Sequence, residues 1–138
     1  MSDRNKDLVR RFFAAINAHE LDPFDEILAK DLVWHGGSSG EIKGIDGFKQ
    51  LVGAFYTAFP DLQTEMHHLI AEGDVVVAHY TTTGTHKAEL SGIPATGKQA
   101  RWDEQPSYRI VEGKIAEVWY LADTLGLMQQ LGAIPSGG

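Results

Sequence analysis

The chain has 138 residues, no cysteine and a formal charge of −7 at pH 7, with 43% hydrophobic and 22% charged side chains. A length near 150 residues suits one domain that buries roughly 68–70% of its unfolded surface, so residues 1–138 are expected to form a single domain with room for one internal pocket. The acidic balance and lack of a basic run exclude a general nucleic-acid or anionic-membrane surface, and the missing cysteines exclude disulfides, thiolate nucleophiles and Cys-held zinc or iron–sulfur centres.

The start, Ser2–Asp7, is polar and carries no apolar signal core, and no apolar run nears the roughly 20 residues of a membrane helix. A cytoplasmic location is expected. Leu8, Val9, Phe12, Phe13 and Ile16 recur at helical spacing, predicting an amphipathic helix from about Asp3 to Ala18 with Ser2 or Asp3 as its cap. Asp22-Pro23 opens a short second helix that turns Phe24, Ile27 and Leu28 inward. Leu32–His35 reads as a brief strand, and Gly36–Gly40 as a loop. A third helix is expected from about Asp46 to Phe59, its apolar stripe being Phe48, Leu51, Val52, Phe55 and Phe59, with Pro60 as the stop.

Beyond Pro60 the pattern becomes β. Leu62–Ala71 alternates loosely, Glu72-Gly73-Asp74 turns the chain into Val75–Thr85, and Arg101–Ile110 is joined to Lys114–Ala122 through Glu112-Gly113. Leu125–Leu131 reads as a small closing helix. Helices first and long hairpins later predict an α+β fold, a curved antiparallel sheet wrapped on N-terminal helices and enclosing a conical space. Pockets form in the mouths of such cones.

Asp123 stands where the apolar pattern of the last strand would accept another hydrophobic residue. Two readings are open. It caps the closing helix, as Asp favours, or it is a general acid/base whose pKa an apolar pocket raises from about 3.9. His35 ends a strand before a flexible loop, and His86 falls near a strand end at the pocket rim. No metal spacing such as H-E-x-x-H occurs, and the adjacent His67 and His68 are expected on opposite faces of a strand. Trp102, Glu104 and Pro106 share parity, so an inward Trp102 brings Glu104 inward too, unless Pro106 makes a bulge that frees Glu104 to solvent. Gly92–Gly97 is a loop rather than a phosphate cradle, because no Gly-Lys-Ser/Thr follows it.

Several phrases occur in order: Gly44-Ile45-Asp46-Gly47-Phe48, Ala58-Phe59-Pro60-Asp61-Leu62, Thr83-Gly84-Thr85-His86, Gly92–Lys98, Glu112–Glu117, Trp119, Asp123 and Gln130-Leu131-Gly132. From about Leu8 to Ala133 the chain resembles the SnoaL-like polyketide cyclases (ester cyclases) of the nuclear transport factor 2-like superfamily. The resemblance implies a cone-shaped α+β barrel, a homodimer or higher oligomer paired through the outer sheet face, and a small hydrophobic substrate. It also implies ring closure by intramolecular aldol condensation with neither metal nor cofactor, Asp123 serving as acid/base. His35 and Glu104 are the further catalytic candidates, and Trp34, Phe13, Phe55, Trp102, Trp119, Tyr120 and His86 the substrate contacts. The chain departs from the family pattern at Trp34, Pro106 and Val118. The alternatives are epoxide or ester hydrolysis on the same fold, with Glu104 and Asp123 activating water, and a non-catalytic binding or dimerisation domain.

Overall fold

The apolar stripe of the first seventeen-residue helix dictates where everything else packs. In the computed structural model, which describes residues 2–36 and 40–134, helix α1 spans Ser2–Ala18 and buries Leu8, Val9, Phe12, Phe13 and Ala15. Asp3 lies in its first turn, where a negative charge complements the helix dipole; the cap expected from the Ser2 side chain lies outside the described residues. A single helical turn, α2 (Phe24–Ile27), follows. Strands β1 (Leu28–His35) and β2 (Glu41–Lys43) come next, and of the loop expected at Gly36–Gly40, residues 37–39 lie outside the described residues. Helix α3 spans Gly44–Ala58. The rest is β3 (Gln63–Glu72), β4 (Val75–Thr85), β5 (Gln99–Glu104), β6 (Ser107–Val111), β7 (Lys114–Trp119) and helix α4 (Thr124–Leu131).

The strands make one seven-stranded sheet in the order β2-β1-β7-β6-β4-β3, with β5 also paired to β4. All pairs are antiparallel except β1 with β7, which run parallel with Trp34 opposite Val118. The expected single strand Arg101–Ile110 is broken at Gln105-Pro106. Proline lacks the N–H a ladder needs, so the eleven-residue β4 is shared, Val75–Val77 pairing with β6 and Tyr80–Thr85 with β5. The β6–β7 turn forms as expected, with Glu112 and Gly113 at φ of 50° and 76°, the two positive values a type I′ turn requires.

The sheet curls around the helices, and the interior divides into two clusters. In the larger, Phe12 meets Phe13, Phe24, Phe48 and Tyr108 at ring-centroid distances of 5.2, 5.4, 5.6 and 5.6 Å; each fully buried aromatic contributes about 1.5–3 kcal/mol. The smaller joins Phe59, Leu62, Leu90, Trp102, Leu127 and Leu131 at the other end. Gly84 lets β4 pass close to the end of α3, since a Cβ there would lie 2.8 Å from Phe59 Cβ. Among the described residues no helix is long and apolar enough to cross a membrane.

Candidate active site

Between the two clusters the cone encloses a partly open cavity of about 410 Å³, within the size range of small-molecule sites. Its wall is mostly apolar and aromatic, with Phe13, Trp34, Phe48, Phe55, Leu62 and Leu127 among the lining residues. The Glu89–Ser91 stretch of the β4–β5 connection closes part of the rim.

Among the cavity's polar lining residues Glu104 is a carboxyl that is almost fully buried, 6% exposed. Register explains its place. Tyr80 lies opposite Glu104 and Thr82 opposite Trp102 across β4 and β5, and alternation sends all four side chains to the inner face. The Tyr80 hydroxyl donates to Glu104 Oε1 at 2.6 Å, while the Thr82 hydroxyl and the Trp102 indole N–H donate to Oε2 at 2.7 and 2.8 Å. The Tyr120 hydroxyl also faces this carboxylate. Burial pushes the Glu104 carboxyl above its ordinary 4.5, against the pull of hydrogen bonds from Tyr120, Tyr80, Thr82 and Trp102. Burial and the neighbouring Glu104 charge push Tyr80 and Tyr120 well above 10, so both hydroxyls keep their protons. A carboxyl whose pKa burial raises, in contact with hydroxyls that face an apolar cavity, can take up and return a proton.

Phe13, Trp34, Phe55, Trp102 and Tyr120 line this cavity, with Phe13 edge-on to Tyr80 at 4.5 Å and Trp34 at 5.3 Å from Tyr120. Of the two readings open for Asp123, the structure places it as the helix cap. It is exposed, is not among the lining residues, and accepts the Gly126 N–H at 2.9 Å as the N-cap of α4. The reason is that β7 ends at Trp119, so strand alternation no longer governs residue 123. His35 also lies outside the cavity. Its neighbour Trp34 points in, so it points out, with Nε2 2.6 Å from Glu117 Oε2 and its ring stacked on Trp119. Trp119, 41% exposed, is therefore an outer-face residue and not a cavity contact. His86 is fully buried against Phe59, its Nδ1 3.0 Å from the Thr96 hydroxyl, and it is not among the residues lining this cavity.

Tyr80 and Thr82 are the site residues that sequence reasoning missed. The signal was their shared parity on β4, legible only with the β4–β5 register in hand.

The family model for SnoaL-like polyketide cyclases matches residues 6–131. The aklanonic acid methyl ester cyclase DauD of Streptomyces sp. (strain C5) is 31% identical over 130 residues, which cover 91% of this chain and 80% of that protein. The nogalonic acid methyl ester cyclase of Streptomyces nogalater is 29% identical over 125 residues, 86% of this chain and 90% of that protein. Among solved structures, AclR of Streptomyces galilaeus, described as a candidate hydroxylase, superposes with a TM-score of 0.88 at 30% identity, covering 100% of this chain and 87% of its own.

Proposed function

The chain belongs to the SnoaL-like polyketide cyclase family, and from that membership we propose that it closes a ring in a hydrophobic polyketide ester by intramolecular aldol addition, with Glu104 as the acid/base. The observation that carries this reading is the buried carboxyl of Glu104, met by the Tyr80, Thr82 and Trp102 donors, in the wall of a mostly apolar cavity. The substrate class comes from relatives that act on methyl esters of aklanonic and nogalonic acid. The steps balance within one molecule. An acidic C–H between carbonyl groups loses its proton through a Tyr80 or Tyr120 hydroxyl to Glu104. The carbanion attacks a ketone carbon, and the resulting alkoxide takes the proton back. The addition is redox-neutral, so acid/base chemistry alone suffices.

An ionised carboxylate offers about four acceptor sites, and the donors around Glu104 fill them. Protonation therefore requires one hydroxyl to turn and accept, which Tyr80, Tyr120 and Thr82 can do and the Trp102 N–H cannot. That freedom makes the two tyrosines the relay.

A second reading has its own observation: Ala122 and Thr124, on either side of Asp123, both line the cavity. A carboxylate released from Gly126 would stand at the mouth, where the family resemblance assigns it the proton transfer. Turnover of aklanonic acid methyl ester, followed by chromatography and mass spectrometry for a product of unchanged mass, separates the two. Glu104→Gln should lower the rate by about 10²–10⁴-fold while Asp123→Asn keeps it near wild type. The reverse pattern moves the acid/base to Asp123, and full activity in Glu104→Gln refutes the Glu104 assignment. The same reading includes a homodimer paired through the outer sheet face, where the Trp119 indole is exposed; sedimentation at twice the chain mass checks it.

A further inference from the structure

A buried phenol stands directly behind the polar wall of the cavity. Tyr108, on β6, has no exposed surface and is not among the residues that line the cavity. Register turns it inward, opposite Val76 on β4 and Val118 on β7. Its ring packs in the core, with the ring centroids of Phe12 and Phe13 at 5.6 and 6.2 Å. Its hydroxyl faces that of Tyr80. With Tyr80 donating to Glu104, however, the Tyr108 hydroxyl has no hydrogen-bond partner in either direction.

An unpartnered buried hydroxyl is costly, and native proteins rarely keep one without a use. Phenylalanine would fill the same space without that cost. Burial, and then the Glu104 charge, hold the Tyr108 phenol well above 10, so it stays neutral and can both donate and accept. The titratable groups that surround Glu104 are Tyr80 on β4, Tyr108 on β6 and Tyr120 beyond β7. Helix α1 brings the uncharged ring of Phe13, 4.5 Å from that of Tyr80.

We propose that Tyr108 is a positioning residue for the proton transfer, its hydroxyl being the reserve acceptor that lets Tyr80 turn away from Glu104 when that carboxyl is protonated. The inference rests on Glu104 as the acid/base. While Glu104 is ionised, Tyr80 donates to it and Tyr108 waits unpartnered. When Glu104 holds the proton, its O–H donates to the Tyr80 oxygen, and the Tyr80 O–H swings to the Tyr108 oxygen. Because Tyr108 lies behind the cavity wall, this acceptor stays in place when substrate has displaced water. The new bond exists only in the protonated state, so it raises the proton affinity of Glu104. It also favours the transition state, in which the proton has left carbon, over the ground state.

The test compares wild type with Tyr108→Phe, alone and in the Glu104→Gln background, with circular dichroism to confirm that each variant is folded. In urea unfolding at about pH 4.5 the phenylalanine variant should have an unfolding constant about 2- to 10-fold larger, the worth of one hydrogen bond. The deficit should shrink as pH rises through the raised Glu104 value. By about pH 8 it should be gone or reversed, since only an unpartnered hydroxyl has then been removed. In Glu104→Gln, neutral at every pH, the effect of Tyr108→Phe should not vary with pH. With aklanonic acid methyl ester, kcat should fall about 2- to 10-fold at unchanged KM, and the acid limb of the pH–rate profile should move to lower pH. A deficit that is constant or grows with pH, or a pH dependence that survives in Glu104→Gln, overturns the proposal and leaves Tyr108 a core filler. So does an unmoved pH–rate profile in an active Tyr108→Phe enzyme. The expected unfolding pattern without turnover by wild type refutes ring closure instead and leaves the Tyr80–Tyr108 exchange standing.

Discussion

Replacing Glu104 with leucine strips the acceptor from three buried donors at once. The Trp102 N–H is fixed by its ring and donates to Glu104 Oε2, so it bears the full cost of an unsatisfied buried group, about 1–3 kcal/mol. The Tyr80 and Thr82 hydroxyls can rotate toward cavity water and lose only the bond itself, about 1 kcal/mol each. Removing a desolvated charge returns part of this, because buried ions are costly to hold. The expected net loss is about 2–4 kcal/mol for Glu104→Leu. Glu104→Gln keeps one oxygen for Thr82 and Trp102 and turns its amide toward tyrosine hydroxyls that can reverse, so its loss should be about 1–2 kcal/mol. Urea unfolding with an unchanged m-value measures both. A leucine variant as stable as the glutamine variant would refute the view that the donors, rather than the volume, need this carboxyl. The pH dependence supplies an independent sign. Glu104 has a folded pKa above 4.5, so the folded state binds the extra proton. Its contribution is complete below 4.5 and is lost as pH rises through the folded value. The stability advantage of wild type over Glu104→Gln should therefore shrink as pH is raised from 4.5. Asp61, Asp103 and Glu117 are held below their ordinary values by hydrogen bonds from Thr85, Thr81 and His35; their contributions vanish as pH falls below the ordinary values and cancel in the difference. An advantage that grows with pH would contradict the buried-carboxyl account.

Asp123→Ala should cost about 0.5–2 kcal/mol in thermal or urea unfolding through loss of the Gly126 cap, whereas Asp123→Asn, also a good cap, should stay within a few tenths. Equal losses in the two would show that the charge and not the cap is what stabilises α4. Gly84→Ala places a Cβ 2.8 Å from Phe59 Cβ and 2.9 Å from Phe59 Cδ1, against a side chain with no exposure. Overpacking of this kind costs about 1–3 kcal/mol, and a variant melting with wild type would mean that α3 can shift freely away from β4.

Elements with a long repeat were legible in the sequence. The stripe Leu8–Ile16 located α1, and Glu112-Gly113 located the β6–β7 turn, because local period and turn chemistry decide both. The three-residue β2 has too few residues to show a period. The parallel pairing of β1 with β7 joins segments some 80 residues apart, a relation that no local pattern encodes. Pro106 announced a break, yet the sequence could not show that β4 would be long enough to pair with the strand on both sides of it.

Alternation also separates the candidates that reached the cavity from those that did not. Trp34 and His35 are neighbours on β1, as Val118 and Trp119 are on β7, and adjacent strand residues cannot face the same side without a bulge. Once the apolar core claims Trp34 and Val118, His35 and Trp119 are bound to meet on the outer face, which is where their rings stack. The same rule carries Glu104 inward with Trp102. It fails in two places, each for a physical reason: at His67-His68, where a bulge resets the parity, and at Asp123, where the strand has already ended. At Asp123 the local demand of a helix N-terminus for an acceptor takes over. A carboxylate bound to that amide is held at the helix end, outside the cavity wall. Glu104, fixed by two strands and met by hydroxyls that can exchange protons, is thus the group whose removal most directly tests catalysis in this fold.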